Sequence, residues 1–201
     1  KKIKQYYGRE SKVIHPPVDL ERFTPGEMKK DFYLMIGAFA PNKRVDLAIR
    51  VFNRLKLPLK IVGKGQDEAF CRSIAGESIS FLGECDDEQL LELYQQARAF
   101  VFPGEDDFGI TPLEAQACGT PVIAYAAGGA LETVTETTGI FFEEQTEEAL
   151  SHAVEEMEQC HQDFKPEEFK KNTSQFSRER YKNEMFNTIN NAYSSWNLQS
   201  T

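Results

Sequence analysis

Five short apolar runs punctuate the middle of the chain: FYLMIG, LKIVG, SISFLG, AFVFP and PVIAY. Four stop at Gly or Pro and the last runs on to Gly128, the pattern of buried strands bounded by turns. Between them the period changes. Val45, Ala48, Ile49, Phe52 and Leu55 recur at three and four residues, as do Leu90, Leu93, Tyr94 and Ala97, so these intervals predict amphipathic helices. Asp86 with Gln89 predicts a capping box at the head of the second helix, and Thr146 opens TEEALSHAVEEMEQ with acids in its first turn. GIFFE, from Gly139, is a sixth candidate strand. Strands alternating with helices need crossover connections, which make the strands parallel and bury both faces of the sheet. The pattern predicts an α/β fold with a doubly wound parallel sheet.

The flanks read differently. KKIKQYYG reads as a helix end, and SKVIHPPVDLERF stops at Pro16 and Pro17 before a polar stretch around Pro25 and Gly26, so residues 1–30 are expected to form a helix end and a linker. Residues 31–163 are expected to form the α/β domain, and residues 164–201 a helical extension, carried by FKPEEFKKN and RERYKNEMFNTINNAY. The 201 residues, 40% hydrophobic and 27% charged, suit one such domain with extensions. No apolar run approaches the roughly 18 to 20 residues of a membrane helix, so no transmembrane segment is expected. A net charge of −9 with no concentrated basic face excludes a general nucleic-acid binder. Cys71, Cys85, Cys118 and Cys160 show no metal spacing and read as reduced thiols of a cytoplasmic protein; no metal is expected. His15, His152 and His161 are scattered, and none is expected to act in catalysis.

In an open parallel sheet, ligands bind beyond the carboxyl ends of the strands, so the residues just after each apolar run are the informative ones. The first run is followed by GAFAPNKR, with Lys43 and Arg44 ahead of a helix, and the second by GKGQD, which lacks the G-x-G-x-x-G spacing of a dinucleotide site. The fourth leads to EDDFGITPLE. Here Thr111 reads as an N-cap, Pro112 as the first helical residue, and Glu114 three residues after the cap as half of a capping box. A second reading makes one ligand satisfy both the helix start and the acids around it. Amides of Phe108, Gly109, Ile110 and Thr111, with Lys43 or Arg44, hold a diphosphate, while Asp106 and Glu114 accept from hydroxyl groups. A ligand that is anionic in the middle and hydroxylated at both ends is a nucleotide sugar.

The stretch from Asp106 to Glu114 resembles the E-x7-E motif of retaining glycosyltransferases of family 4, in the form of their mannosyltransferase-like members. VIHPPVDLERF, FAPNKRVDLAIRVFNRL, IVGKGQDE, FLGECDDEQLLELYQQARAFVFPG and EAQACGTPVIAYAAGGALETV follow the same family's order, so the resemblance covers nearly the whole chain. It implies a GT-B enzyme of two Rossmann-like domains, with this chain as the C-terminal, donor-binding half and an N-terminal acceptor domain missing. It further implies that Glu114 binds ribose hydroxyls, that Asp106 faces the transferred sugar and that Lys43 neutralises the diphosphate. The loops at Gly63, Lys64 and Gly83 border the nucleotide. Two departures stand out: the family's first Glu is Asp106, and its frequent Arg after the first strand is Ala38. The implied reaction transfers a hexosyl group, with retention, from a nucleotide sugar to a glycan or lipid-linked acceptor, without a cofactor. GDP-mannose is favoured as donor, with UDP and ADP sugars as alternatives. A nucleotide-sugar-binding module without transferase activity, a GT-B epimerase and an NDP-sugar hydrolase are the competing readings. The resemblance places the enzyme in the cytoplasm, with peripheral membrane contact through the missing half.

Overall fold

The computed structural model describes residues 2–26 and 29–199. A short helix α1 (Lys2–Tyr7) precedes the linker, and the sheet begins with β1 (Tyr33–Ile36). The order continues α2 (Val45–Leu55), β2 (Leu59–Val62), α3 (Glu68–Ile74), β3 (Ile79–Gly83), α4 (Asp87–Gln96), β4 (Ala99–Phe102), α5 (Ile110–Ala117) and β5 (Val122–Tyr125). It closes with α6 (Ala130–Thr133), β6 (Gly139–Phe142), α7 (Glu147–Cys160), α8 (Pro166–Ser174) and α9 (Arg178–Gln199). All six strands form one parallel sheet in the order β3-β2-β1-β4-β5-β6. The direction of winding therefore reverses between β1 and β4, which leaves a crevice between the loops that follow those two strands.

Alternation along the strands builds two cores. Tyr33, Met35, Val101 and Ile123 face α2, α3 and α7, whereas Leu34, Phe100, Phe102, Val122 and Ala124 face α4, α5 and the linker. Every residue of β4 is buried, as expected for a central strand covered on both sides. The expected helix starts at Asp86 and Thr146 are both present. Asp86 and Gln89 form a complete capping box, and the Thr146 hydroxyl accepts from the Ala149 amide at 3.2 Å. The linker joins the second core. Val18 and Phe23 are buried in it, and the Val18 amide donates to the Phe176 carbonyl at 2.8 Å, which ties the linker to the end of α8.

At the end of the sheet away from the crevice, Arg98, just before β4, donates to Glu158 of α7 at 2.6 Å, and the Tyr33 hydroxyl donates to the same carboxylate at 2.5 Å. Burial acts to raise the Glu158 carboxyl, but the hydrogen bonds from Arg98 and Tyr33 and the Arg98 charge outweigh it and hold the group below its ordinary value. This cluster fastens α7 to two strands at once.

Candidate functional site

The crevice is formed by loops laced to one another through their backbones. The Gly37 amide donates to Val62 at 3.0 Å, that of Phe39 to Lys64 at 3.0 Å, and that of Gly63 to Gly83 at 2.7 Å, so the turns after β1, β2 and β3 form one surface. Gly63 has φ of 133°, and a Cβ there would overlap the Gly37 carbonyl. The β4–α5 loop joins from the other side, with the Glu105 amide donating to Asn42 at 3.3 Å. Two glycines after β5 brace it from behind. The Gly129 amide donates to the Asp106 carbonyl at 2.8 Å, and a Cβ on Gly129 would overlap the backbone of Phe108.

Lys43 lies at the end of a single 3-10 turn, Pro41–Lys43, and Arg44 after it takes the left-handed conformation, φ 52°. That turn separates the two cations. The Lys43 ammonium enters the crevice and donates to both carboxylate oxygens of Asp106, so the charges expected to serve phosphate and sugar are paired with each other. The Arg44 guanidinium turns away, 3.4 Å from Asp46 Oδ1 and 3.4 Å from the Gln145 carbonyl. Lys43 is therefore the cation at the crevice, and Arg44 is engaged beside α2 and α7. Lys64 forms an exposed ion pair with Glu84 at 2.9 Å, bridging the loops after β2 and β3.

The helix start differs from the expectation. The N-cap of α5 is Gly109, with φ of 86° and ψ of 72°, so Ile110 is the first helical residue and Thr111 and Pro112 lie inside the first turn. Thr111 is not the cap, because Gly109 turns the chain earlier in a conformation that β-branched residues avoid. The capping-box reading of Glu114 falls with it. Glu114 Oε2 instead accepts from the Tyr94 hydroxyl at 2.8 Å, across the interface between α4 and α5. Burial pushes the Glu114 carboxyl above its ordinary value, against the lowering effects of Tyr94 and of Arg22 on the linker. Tyr94 is fully buried, and its phenol is held well above its ordinary value by burial and by the neighbouring carboxylate, so it remains a donor.

The crevice thus gathers a cation, a carboxylate beside it, the unpaired amides of a helix first turn at Ile110 and Thr111, and a second carboxylate one turn further on. Phe108, half-buried, packs at the back of the loop against His15 and Phe176. Sequence reasoning missed Tyr94, His15 and Glu132 as members of this constellation. The available signal was a Tyr at a core-facing helical position, since a buried phenol needs a hydrogen-bond partner.

Residues 18–176 match the model of the glycosyl transferases group 1 family. The chain is 31% identical over 189 residues to a GDP-mannose-dependent monoacylated alpha-(1-6)-phosphatidylinositol monomannoside mannosyltransferase of Corynebacterium glutamicum, covering 78% of this chain and 50% of that protein. It is 33% identical over 170 residues to a D-inositol 3-phosphate glycosyltransferase of Mycobacteroides abscessus, covering 72% of this chain and 38% of that protein. Among solved structures, sucrose-phosphate synthase from Thermosynechococcus elongatus superposes with a TM-score of 0.85 at 23% identity, over 96% of this chain and 56% of that one. That superposition shows the Rossmann-like fold of one half of a GT-B architecture. The chain spans half or less of the length of these two sequence relatives. On the match over most of its length and the two relatives, the chain belongs to the group 1 family of glycosyl transferases.

Proposed function

We propose that this chain is the donor-binding half of a retaining hexosyltransferase that uses a nucleotide-diphosphate sugar, with GDP-mannose as its donor. One observation carries the reading: Lys43 from the β1 loop and Asp106 from the β4 loop meet at the switch point of the sheet, beside the first turn of α5 and one turn from Glu114. The diphosphate takes Lys43 and the amides of Ile110 and Thr111. Glu114 Oε1 accepts from the ribose diol while Tyr94 holds Oε2, and Asp106, released from Lys43, turns to the transferred sugar. GDP-mannose is supported by the Corynebacterium relative, whose name states that dependence.

As the glycosidic bond breaks, negative charge grows on the departing diphosphate. Lys43 and the preorganised amides stabilise it, an effect typically worth a factor of about 10² to 10³ per donor in rate. The acceptor hydroxyl approaches from a second domain, for which the relatives' greater length leaves room. Among the described residues no helix is long and apolar enough to cross a membrane, and the acceptor, a glycan or lipid-linked alcohol, is met in the cytoplasm or at a membrane surface.

Calorimetric titration of this chain with GDP-mannose, UDP-glucose and ADP-glucose tests the reading. GDP-mannose is expected to bind tightest. Glu114→Ala is expected to weaken it by about 2 kcal/mol, roughly thirtyfold, for the loss of a hydrogen bond to a charged group. Equal binding by wild type and Glu114→Ala, with the fold intact, rejects the site. Release of free sugar from GDP-mannose without acceptor, at the rate of transfer, identifies a hydrolase instead.

A further inference from the structure

The linker reaches the candidate donor loop through one side chain. The His15 imidazole lies against the Phe108 ring with centroids 5.3 Å apart and planes inclined by 18°. Phe176 closes the group edge-on, 5.6 Å from Phe108 and 5.9 Å from His15. His15 is held at two further points. Its Nδ1 lies 3.3 Å from Glu132 Oε2, and its carbonyl accepts from Arg180 Nη2 at 2.8 Å. Glu132 belongs to α6, which follows the two glycines that brace the same loop from behind.

An apolar side chain would fill the space over Phe108 equally well, but it would leave the plane of the contact free to turn. A ring hydrogen-bonded at one nitrogen has a fixed plane, and a stacked partner follows it. Phe108 immediately precedes Gly109, whose left-handed backbone aims the amides of Ile110 and Thr111 into the crevice. A small rotation at Phe108 therefore re-aims the first turn of α5, and hydrogen bonds weaken steeply as their angles close.

We propose that His15 is a positioning residue for the donor loop, an inference that rests on the reading of that loop as the diphosphate site. Glu132 orients the imidazole, the imidazole sets the Phe108 ring, and Phe108 sets the entry to α5. His15 lies on the linker, outside the α/β domain, so the aim of the donor amides depends on where the linker lies.

Two measurements on this chain test it together. The three histidines give three imidazole Cε1–H signals in a proton–carbon correlation spectrum, and His15 is the one lost in His15→Ala. Stacking shifts that signal upfield; Phe108→Leu is expected to move it downfield, and titration with GDP is expected to move it in the wild type. In parallel, His15→Ala is expected to weaken GDP-mannose binding roughly three- to tenfold, the scale of one aromatic contact. His15→Phe is expected to recover most of that loss by keeping a ring over Phe108, with thermal midpoints of both variants close to wild type. A His15 signal indifferent to Phe108→Leu overturns the stack. Wild-type binding of GDP-mannose with equal binding by His15→Ala overturns the positioning role alone. Failure of the wild type to bind any nucleotide diphosphate overturns the donor reading, and the positioning role with it.

Discussion

At the scale of single residues, the second carboxylate of the motif is defined by its partner. A Glu at the third position after a presumed cap has an ordinary task in helix geometry, and spacing cannot separate that task from ligand binding. The geometry does: Gly109 caps the helix, and Glu114 is turned towards Tyr94. Tyr94→Phe removes only the hydroxyl. It is expected to weaken GDP-mannose binding by about 1.5 kcal/mol, roughly tenfold, with little change in fold, as read by calorimetry beside a thermal scan. The raised Glu114 value has opposite consequences for binding and stability. Between the ordinary carboxylate value and the raised one, the folded chain holds a proton that the unfolded chain has released, so this group's contribution to stability falls as pH rises through that window. An ionised carboxylate accepts better from a diol, so donor affinity rises over the same window. Titration of affinity against pH in wild type and Glu114→Gln checks this: the acid-side loss of affinity is expected to disappear in the amide variant.

At the scale of elements, the strands and long helices were legible because each carries its own period and its own punctuation. AFVFP reads as a buried strand, DEQLLELYQQ as a capped amphipathic helix, and both stand where expected. Two short helices, α3 and α6, escaped notice because seven and four residues are too few for a helical period to declare itself. Loop-to-loop bracing was invisible for a different reason, since Gly129 and Phe108 are joined only by the fold. Gly129→Ala is expected to cost more than about 2 kcal/mol of stability, because its Cβ meets backbone that cannot rotate away. Gly37→Ala is the control, since a Cβ there meets nothing within 4 Å. Denaturant midpoints of the two variants measure the difference.

At the scale of the whole molecule, the chain covers one side of a crevice and exposes apolar surface elsewhere. Phe186 and Ile189 on α9 are 67% and 59% exposed, and Tyr6 and Tyr7 on α1 are 73% and 77% exposed. Such residues gathered on terminal helices fit a chain that works against further polypeptide, the acceptor half of the proposed enzyme. In a protein extended to the length of the relatives, amide exchange along α9 is expected to slow relative to this chain, and donor affinity to rise. Equal exchange in both places the second domain elsewhere.

The pairing of Lys43 with Asp106 also sets what the empty crevice will refuse. A free cation at a helix start attracts any anion, and inorganic phosphate and nucleoside triphosphates surround such a protein in a cell. With Asp106 seated on it, Lys43 offers no unbalanced charge. On the proposed reading an incoming ligand must displace a carboxylate and also give that carboxylate a new partner. Bare phosphate has only the first half of the exchange to offer, whereas a sugar linked to a diphosphate completes it with its own hydroxyls.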